Sequence, residues 1–192
     1  GAGGSIGSEL CKQIVALNPA KLVLFERSEN SLFTLANELA DAFPAAQLVL
    51  VVGDIANAER VEAVMGTHRP HVVFHAAAHK HVPLMELGPC EAVRNNVRGT
   101  RVLAEAAIAQ GVERFVLISS DKAVNPSSVM GTTKRIAELL MRGLNTFQRT
   151  RFVTVRFGNV LRSNGSVVPR FIDQIRAGGP VTVTHPDVRR YF

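Results

Sequence analysis

The sequence predicts an α/β protein with a doubly wound parallel sheet, and three features of the chain lead to that prediction. Short apolar runs alternate with amphipathic stretches along the chain. In most of these runs, apolar residues follow one another without alternating polar ones, and a glycine-rich turn opens the first amphipathic stretch. Continuous hydrophobicity is typical of strands buried on both faces. The alternation of strands and helices predicts parallel strands joined by right-handed crossovers.

The predicted strands are short and rich in Val, Leu and Phe; they span residues 21–25, 47–52, 71–76, 114–119 and 152–157. The predicted helices are the amphipathic stretches 5–17, 29–42, 58–65, 89–110 and 128–146. Gly111 follows the fourth of these helices, where a C-terminal glycine commonly ends a helix. The sequence shows no internal repeat, low-complexity tract or linker, so residues 1–192 are expected to form a single domain.

Composition narrows the class of protein. A chain of 192 residues and 20.8 kDa, with 46% hydrophobic and 20% charged residues, is ordinary for one globular core. No apolar run approaches the ~18 residues of a membrane helix. The two cysteines, Cys11 and Cys90, cannot build a disulfide framework, which favours a reducing cytoplasm. The absence of Trp weakens any prediction of single-stranded nucleic-acid binding.

The net charge of +6 is distributed unevenly along the chain. Residues 1–100 carry 8 basic and 10 acidic side chains, whereas residues 101–192 carry 14 basic and 6 acidic ones. A positive half suits an anionic ligand. Nucleic acid is the other usual partner, but these basic residues are scattered singly, and a solvated basic face is the third interpretation.

Both ends of the chain predict a fragment. A glycine-rich turn normally follows a strand, and no residue precedes Gly1. The other end, at residues 187–192, carries no turn or cap signal. We therefore expect a domain that lacks its first strand and its C-terminal substrate region. In a sheet of order 3-2-1-4-5-6 that first strand lies in the middle.

The glycine-rich turn predicts a phosphate-binding site. Gly1, Gly4 and Gly7 have the spacing G-x-x-G-x-x-G, and Ser5 and Ile6 open the helix that follows. Glycines allow the backbone to approach a pyrophosphate that sits on the N-terminus of that helix. Taken alone the turn is a weak signal, because glycine-rich loops also occur without a ligand.

Two further positions make the signal specific for a dinucleotide. The next strand ends at Glu26, where a carboxylate would bind the ribose hydroxyls of adenosine. The third strand ends at Asp54 and Ile55, which are placed to flank the adenine ring. We therefore predict a Rossmann-like site for NAD, which the carboxylate favours. Arg27 is placed to face a 2′-phosphate, so NADP stays open as an alternative.

Several motifs resemble those of the extended short-chain dehydrogenases/reductases. They are the glycine turn, residues 53–55 (GDI), 75–78 (HAAA) and 96–100 (NVRGT). The resemblance adds Ala76 and Ala77 to the predicted cofactor-binding residues. Further stretches are similar to the CapD-like polysaccharide-biosynthesis family, namely residues 79–86 (HKHVPLME), 119–126 (SSDKAVNP), 156–161 (RFGNVL), 165–169 (GSVVP) and 181–186 (VTVTHP). This similarity covers essentially the whole chain.

The characterised members of that family are UDP-N-acetylglucosamine 4,6-dehydratases, and the resemblance therefore implies a reaction. NAD accepts a hydride from carbon 4 of a UDP-hexose, and the resulting ketone acidifies the proton at carbon 5. Water then leaves from carbon 6, which receives the hydride. The product is a 4-keto-6-deoxy sugar for a bacterial surface polysaccharide.

The resemblance also implies roles for five residues. Asp121 is the expected acid for the leaving hydroxyl, Lys122 the expected base for carbon 5, and Ser120 the partner of the oxygen on carbon 4. Lys134 is expected to hold the nicotinamide ribose. Met130 stands where most short-chain dehydrogenases have a tyrosine base; methionine has no ionisable group, so the acceptor of the hydroxyl proton stays unassigned.

Substrate binding is expected at Lys80, Asn159, Ser166 and Arg190, with Arg156 a weaker candidate. The guanidinium of arginine suits a diphosphate because its donors form a planar fork. For a single arginine, a surface role is as well supported as a ligand role.

The histidines near the third strand invite a metal hypothesis. His75, His79 and His81 are close in sequence, but no carboxylate or cysteine stands at a spacing that completes a site. We therefore predict no metal and place this loop beside the nicotinamide. Asn96 is expected to bond backbone near the active-site strand, which is a structural role.

Alternatives to the dehydratase remain at this stage. A nucleotide-sugar epimerase would share the ketone intermediate, but the methionine in place of tyrosine disfavours it. A non-catalytic dinucleotide sensor would have no need of an acid and a base together. The resemblance further implies a homo-oligomer when the protein is full length. It also implies N-terminal membrane helices in some family members. Because the expected first strand and C-terminal substrate region are missing, we predict weak or absent activity for these 192 residues alone.

Overall fold

A computed structural model describes residues 1–146, 149–160, 167–183 and 187. The chain divides into two compact units, Gly1–Arg156 and Phe157–Phe192. The first unit contains the five strands found among the described residues, together with the predicted cofactor and acid/base residues. The single-domain organisation of residues 1–192 stays a prediction.

The first unit alternates strands and helices, as the apolar pattern predicts. Its strands are β1 (Leu22–Glu26), β2 (Leu48–Val52), β3 (Val72–His75), β4 (Arg114–Ile118) and β5 (Arg151–Val155). Its α-helices are α1 (Ser5–Val15), α2 (Glu29–Ala42), α3 (Ala58–His68), α4 (Val82–Leu87), α5 (Pro89–Ala92), α6 (Thr100–Ala109) and α7 (Val129–Leu144). A π-helix, Val93–Gly99, joins α5 to α6, and a 3-10 turn, Asp121–Ala123, follows β4.

All strand pairs are parallel, which confirms the predicted α/β class. β1 pairs with β2, and β3, β4 and β5 pair in that order. When β1 and β2 are counted as strands 2 and 3 of a sheet of order 3-2-1-4-5-6, and β3 to β5 as strands 4 to 6, these are the two groups that flank the central strand. The backbone nitrogen of Gly1 donates to the carbonyl of Phe25 at the end of β1, over 2.9 Å.

Helices pack on both faces of β1, whose successive side chains point in opposite directions. Leu24 of β1 belongs to a core with α1 and α2, whereas its neighbour Phe25 packs against a second core. That second core joins α3, α6 and α7 to Phe115 and Leu117 of β4. Crossovers on both faces are the property that defines a doubly wound fold.

One face of β3, β4 and β5 is apolar and open to solvent within the first unit. Val72, Phe74, Val153 and Val155 have exposed fractions of 39%, 43%, 47% and 41%. Pairing of β4 with its neighbours sets Val116 beside Phe74 and Val153 in register. These four apolar side chains are therefore partly open to solvent in the described part of the chain.

The second unit contains α8 (Val167–Arg176), which the sequence analysis did not predict. The side-chain amide of Gln174 in this helix donates from Nε2 to the Thr182 hydroxyl at 2.8 Å and accepts at Oε1 from the Thr182 backbone nitrogen at 3.1 Å. Gly178 and Gly179 follow the helix with positive φ, the conformation that commonly ends a helix at glycine. In the described part of the chain, no helix has the length and apolar character needed to cross a bilayer.

Candidate active site

The glycine turn is fixed by contacts that leave no room for side chains. A Cβ on Gly7 would overlap the carbonyl oxygen of Gly1, and a Cβ on Gly1 would lie 2.6 Å from the backbone nitrogen of Ala77. The turn therefore lies against the chain that leaves β3. This contact brings two sets of predicted cofactor residues together, since Ala76 also lies beside Gly1.

Gly4 has no such packing reason to be glycine. It is exposed, and a Cβ built on it would find one neighbour within 4 Å, the oxygen of Gly1 at 3.5 Å. Gly4 also caps α1 in an extended conformation, without a side-chain hydrogen bond and with no acidic residue in the first turn. An open approach to a helix N-terminus fits a pyrophosphate, because the helix dipole and backbone N–H groups favour an anion.

Glu26 lies at the edge of the glycine cradle, which is formed by the turn of residues 1–4 and the N-terminus of α1. Its Oε2 accepts from the backbone nitrogen of Gly3 at 3.0 Å, and its Oε1 accepts from those of Arg27 and Ser28 at 2.9 and 3.0 Å. A carboxylate offers about four acceptor positions, so one remains for a ribose hydroxyl. The Arg27 side chain is exposed at the same edge.

The end of β2 lies beside Glu26. The backbone nitrogen of Gly53 donates to the Glu26 carbonyl at 2.9 Å, and Asp54 Oδ1 accepts from Ala56 at 2.8 Å. Ile55 has an exposed fraction of only 5% and packs against Gly99. Asp54 is thus placed at the predicted adenine corner, whereas the Ile55 side chain belongs to the core.

The Ser-Asp-Lys sequence forms a tight turn at the carboxyl end of β4. Ser120 caps the 3-10 turn, where its Oγ accepts from the backbone nitrogen of Lys122 at 3.2 Å and donates to Asp121 Oδ1 at 2.8 Å. The Nζ of Lys122 lies 3.0 Å from the same Oδ1. All three predicted reactive residues therefore meet at one carboxylate.

The hydrogen bonds of this turn decide the charge of Asp121. Partial burial raises the pKa of its carboxyl group, but hydrogen bonds from Lys122 and Ser120 outweigh this effect. The net result is a pKa below the ordinary value, so the group is a carboxylate at neutral pH. This arrangement is an ion pair with Lys122 on the sheet edge where α/β folds place ligands.

Gly131 explains how the turn reaches α7. A Cβ on this residue would overlap the backbone oxygen of Lys122. Ser128 caps the same helix by accepting from Gly131, and Glu86 of α4 accepts from the backbone nitrogen of Val129 at 2.8 Å. The glycine of the Met-Gly-x-x-Lys motif is thus a contact residue, a role that the sequence analysis did not assign.

Met130 lies in an apolar cluster. It is 2% exposed and packs with Met85 and Ala92. One turn further along α7, Lys134 is 8% exposed and its Nζ donates to the carbonyl of Ile118, the last residue of β4, at 2.7 Å. Burial lowers the pKa of Lys134 to about 8, against an opposing effect of Glu138.

Glu138 is a buried charged residue that the sequence analysis missed. It is 6% exposed; Oε1 accepts from Ser119 Oγ at 2.6 Å and from Arg156 Nε at 2.7 Å, while Oε2 accepts from Arg156 and Arg135. Burial raises the pKa of Glu138, but the bonds from Arg156, Ser119 and Arg135 lower it to about 2. A signal existed, because Glu138 lies four residues after Lys134 on one helical face.

Asn96 has the structural role that the sequence predicts. From the π-helix, its amide donates to the carbonyl of His79 and to Thr133, and its oxygen accepts from the backbone of His79 and from Asn95, over 2.8 to 3.1 Å. All four positions of the amide are used. The bonds join the loop after β3 to α7.

His75 is buried beside this junction. Its Nε2 lies 2.8 Å from the hydroxyl of Thr100, which donates its own proton to the carbonyl of Asn96. His75 therefore carries its proton on Nε2. Burial and the charge of Lys134 lower its pKa well below the ordinary value, so it is neutral. Among the described residues, no cluster of His, Cys, Asp or Glu forms a metal site.

The predicted substrate residues fall in different places. Lys80 lies exposed in the loop between β3 and α4, where partial burial lowers the pKa of its amine. Asn159 lies in the second unit. Ser166 and Arg190 lie outside the described residues. Arg156 donates to the Glu138 carboxylate through two of its nitrogens. The planar donor fork expected to bind a diphosphate is therefore engaged by a carboxylate of the first unit.

Comparison with known proteins gives relatives along the whole chain. The chain is 54% identical over 194 residues to the capsular polysaccharide biosynthesis protein CapD of Staphylococcus aureus, covering 100% of this chain and 32% of that protein. It is 36% identical to a UDP-glucose 4-epimerase of Rickettsia canadensis, over 100% and 57% of the two chains. It is 35% identical to the UDP-N-acetylglucosamine 4,6-dehydratase (inverting) of Campylobacter jejuni, over 96% and 55%.

Solved structures agree with the fold. Pen from Bacillus thuringiensis superposes with a TM-score of 0.88 at 38% identity, covering 96% of this chain and 58% of that chain. DesIV, a dTDP-glucose 4,6-dehydratase from Streptomyces venezuelae with NAD and TYD bound, has a TM-score of 0.79 at 22% identity, over 94% and 62%. The latter likeness shows the fold alone.

These matches agree with the motifs that the sequence analysis singled out. The chain spans about a third of the length of CapD and about half that of the dehydratase and the epimerase. A family described as polysaccharide biosynthesis protein matches residues 1–192 without interruption. The chain therefore belongs to this family of polysaccharide biosynthesis proteins.

Proposed function

We propose that the protein containing this chain is an NAD-dependent 4,6-dehydratase of a UDP-N-acetylhexosamine, which makes a 4-keto-6-deoxy sugar for a bacterial surface polysaccharide. The observation that carries the proposal is the Asp121–Lys122 pair, 3.0 Å apart at the carboxyl end of β4. A 4,6-dehydration needs both an acid and a base on one sugar, and this turn supplies one of each.

The residues of the cradle fit a dinucleotide. Gly4 leaves the approach to the N-terminus of α1 open for the pyrophosphate, and Glu26 retains an acceptor position for the adenosine ribose. Lys134 uses one of its three donors on Ile118, so its ammonium can also bond the nicotinamide ribose. When bound, NAD supplies a hydride acceptor that later returns the hydride.

The resting charges of Asp121 and Lys122 are the reverse of those that the elimination needs. The carboxylate must be protonated to act as an acid, and the ammonium must lose a proton to act as a base. Passage of one proton from Lys122 Nζ to Asp121 Oδ1, along their hydrogen bond, gives both forms at once. A sugar that covers the half-exposed turn excludes water, which disfavours the two charged forms.

With the proton so placed, each residue has one task in the elimination. Lys122 takes the carbon-5 proton as a neutral amine, and Asp121 protonates the hydroxyl that leaves carbon 6 as water. Ser120 is a donor beside them for the oxygen on carbon 4. Met130 has no ionisable group and is buried among apolar side chains, so it takes no proton.

A UDP-sugar 4-epimerase is the second candidate, because epimerases and a dehydratase match the chain at similar identity. The two activities differ in product mass. We would incubate the full-length protein with UDP-N-acetylglucosamine and weigh the product by mass spectrometry. Loss of the mass of one water supports the dehydratase. An unchanged mass with the opposite configuration at carbon 4 supports the epimerase and overturns the proposal.

A non-catalytic dinucleotide sensor is the alternative that a different pair of variants tests. Asp121→Asn and Lys122→Ala should keep NAD affinity within about threefold, since neither lies in the glycine cradle. Turnover should fall by roughly 100-fold or more when either group is removed. Turnover that persists in both variants would show that the roles assigned to the turn are wrong.

A further inference from the structure

The carboxylate of Glu138 joins three elements at the reactive end of the sheet. It projects from α7, accepts from Ser119 directly after β4, and accepts from Arg156 directly after β5. Ser119 is itself 4% exposed, and its backbone nitrogen donates to the Val155 carbonyl of β5 at 2.8 Å. Glu138 and Ser119 are therefore buried at this junction, Arg156 and Arg135 reach them from the surface with 40% and 42% of their side chains exposed, and the junction is bonded through both side chain and backbone.

The same helix also holds the residue before Ser119. Lys134, one turn from Glu138 on α7, donates to the carbonyl of Ile118 at 2.7 Å. Two consecutive residues at the end of β4 are thus bonded to α7: Ile118 to the ammonium of Lys134 and Ser119 to the carboxylate of Glu138. Residues 120–122 follow them directly in the chain.

Glu138 has no capacity left to bind a ligand. Four donor atoms, one from Ser119, two from Arg156 and one from Arg135, fill the four acceptor positions of a carboxylate. Its contribution to any reaction must therefore pass through the groups it holds.

We infer that Glu138 is a positioning residue, which fixes the Ser120–Lys122 turn by anchoring Ser119 and Arg156 to α7. The inference rests on the proposed function for its effect on turnover, but not for its effect on the structure of the turn. An acid and a base act efficiently only when held in one geometry, so looseness at Ser119 lowers the rate of the chemical step more than it lowers substrate binding.

The variant Glu138→Gln tests the inference because it keeps the size of the side chain and removes the charge. Its amide can accept from only one side, so the bonds to Ser119 and to both arginines cannot all survive. Glu105→Gln is the matched control, since Glu105 pairs with Arg101 on the exposed surface of α6. Ser119→Ala is the milder variant, because it removes one bond and keeps the ion pair with Arg156.

Hydrogen exchange measured on the full-length protein reads the turn without any turnover. The backbone nitrogens of Lys122, Ala123 and Val124 all donate within the turn. In Glu138→Gln we expect these amides to exchange roughly tenfold faster or more, while those of α2 stay unchanged. Equal acceleration in α2 would mean general destabilisation, and unchanged exchange in the turn would mean that Glu138 does not hold it; either result overturns the inference.

Kinetics on UDP-N-acetylglucosamine provide the second readout. We expect kcat to fall roughly 30-fold or more in Glu138→Gln with KM changed less than about threefold, a smaller fall in Ser119→Ala, and none in Glu105→Gln. Partial recovery in Glu138→Asp would support the anchoring charge. A rise in KM alone contradicts the inference. If the wild-type protein releases no water, the proposed function fails, and the exchange experiment still decides the role of Glu138.

Discussion

Gly131 and Lys122 are in direct backbone contact, because any Cβ on Gly131 would overlap the carbonyl oxygen of Lys122. The first turn of α7 thereby packs on the Ser120–Lys122 turn, which carries the proposed acid and base. This contact gives a physical reason for a glycine between Met130 and Lys134. Because the contact involves backbone atoms, it also fixes the spacing between the Ser120–Lys122 turn and Lys134.

Gly131→Ala should therefore impair the site. The added methyl must push apart two backbone segments, at a cost of about 1–3 kcal/mol in the free energy of unfolding, and turnover should fall roughly 100-fold. Gly143→Ala is the control on the same helix, since Gly143 has no atom within 4 Å of its Cβ position. The control should gain about 0.5–1 kcal/mol of stability. Equal behaviour of the two variants would refute the contact.

Gly4→Ala should weaken the cofactor without weakening the fold. The new Cβ meets only the Gly1 oxygen at an ordinary distance, but it occupies the approach to α1 that a pyrophosphate needs. We expect NAD affinity to fall roughly tenfold, measured by titration of the full-length protein, with only a slight change in melting temperature from the poorer capping by alanine. Gly66→Ala in α3, whose nearest neighbour lies at 4.0 Å, should leave NAD affinity unchanged and, because it replaces a glycine inside a helix, should raise the melting temperature slightly. A marked fall in melting temperature for Gly4→Ala would point to packing instead.

Cofactor affinity should depend on pH through Lys134. Burial lowers the pKa of this lysine to about 8, so its ammonium is present below that pH and is lost as the pH rises through it. The proposed bond to the nicotinamide ribose would weaken when a donor is lost, so NAD affinity should decline between pH 7 and pH 9.5. In Lys134→Arg the guanidinium stays charged and the decline should disappear. A wild-type affinity that is constant over this range would count against the assigned role.

Asn96→Asp should destabilise the first unit strongly. The buried amide donates to the His79 carbonyl and to Thr133, and a carboxylate has no proton for either bond. The variant also places a charge at a position with 1% exposure. We expect a loss of roughly 2–4 kcal/mol in the free energy of unfolding by denaturant titration. The exposed Asn30→Asp, at the start of α2, should be neutral or slightly stabilising because of the helix dipole.

The layout of strands could be predicted because each strand is a continuous apolar run. Residues 114–118 are nearly the whole of the predicted strand 114–119, and the helix predicted over 29–42 is observed as Glu29–Ala42. Parallel strands that are buried on both faces favour such runs, and β1 is buried in this way, whereas β3, β4 and β5 are equally apolar although one of their faces is partly exposed in the described part of the chain. The predicted site residues at strand ends follow from the same topology, which gathers carboxyl ends at one edge.

Other features left no readable pattern, or only a weak one such as the four-residue spacing of Lys134 and Glu138. The π-helix Val93–Gly99 lies inside the helix predicted over 89–110, and hydrophobic periodicity does not separate a short π segment from an α-helix. Helix α4 is only six residues long, too short for periodicity to reveal. Glu138 was missed because a glutamate on a helix is normally solvated, and its burial depends on Arg156, eighteen residues away in sequence.

The central claim is that the Ser120–Lys122 turn removes water from carbons 5 and 6 of a sugar whose hydride is held by NAD and returned to carbon 6. It is tested most directly by giving the full-length protein UDP-N-acetylglucosamine deuterated at carbon 4. We predict a product lighter by one water that carries the deuterium on carbon 6. A product of unchanged mass with the deuterium still on carbon 4 would contradict the claim.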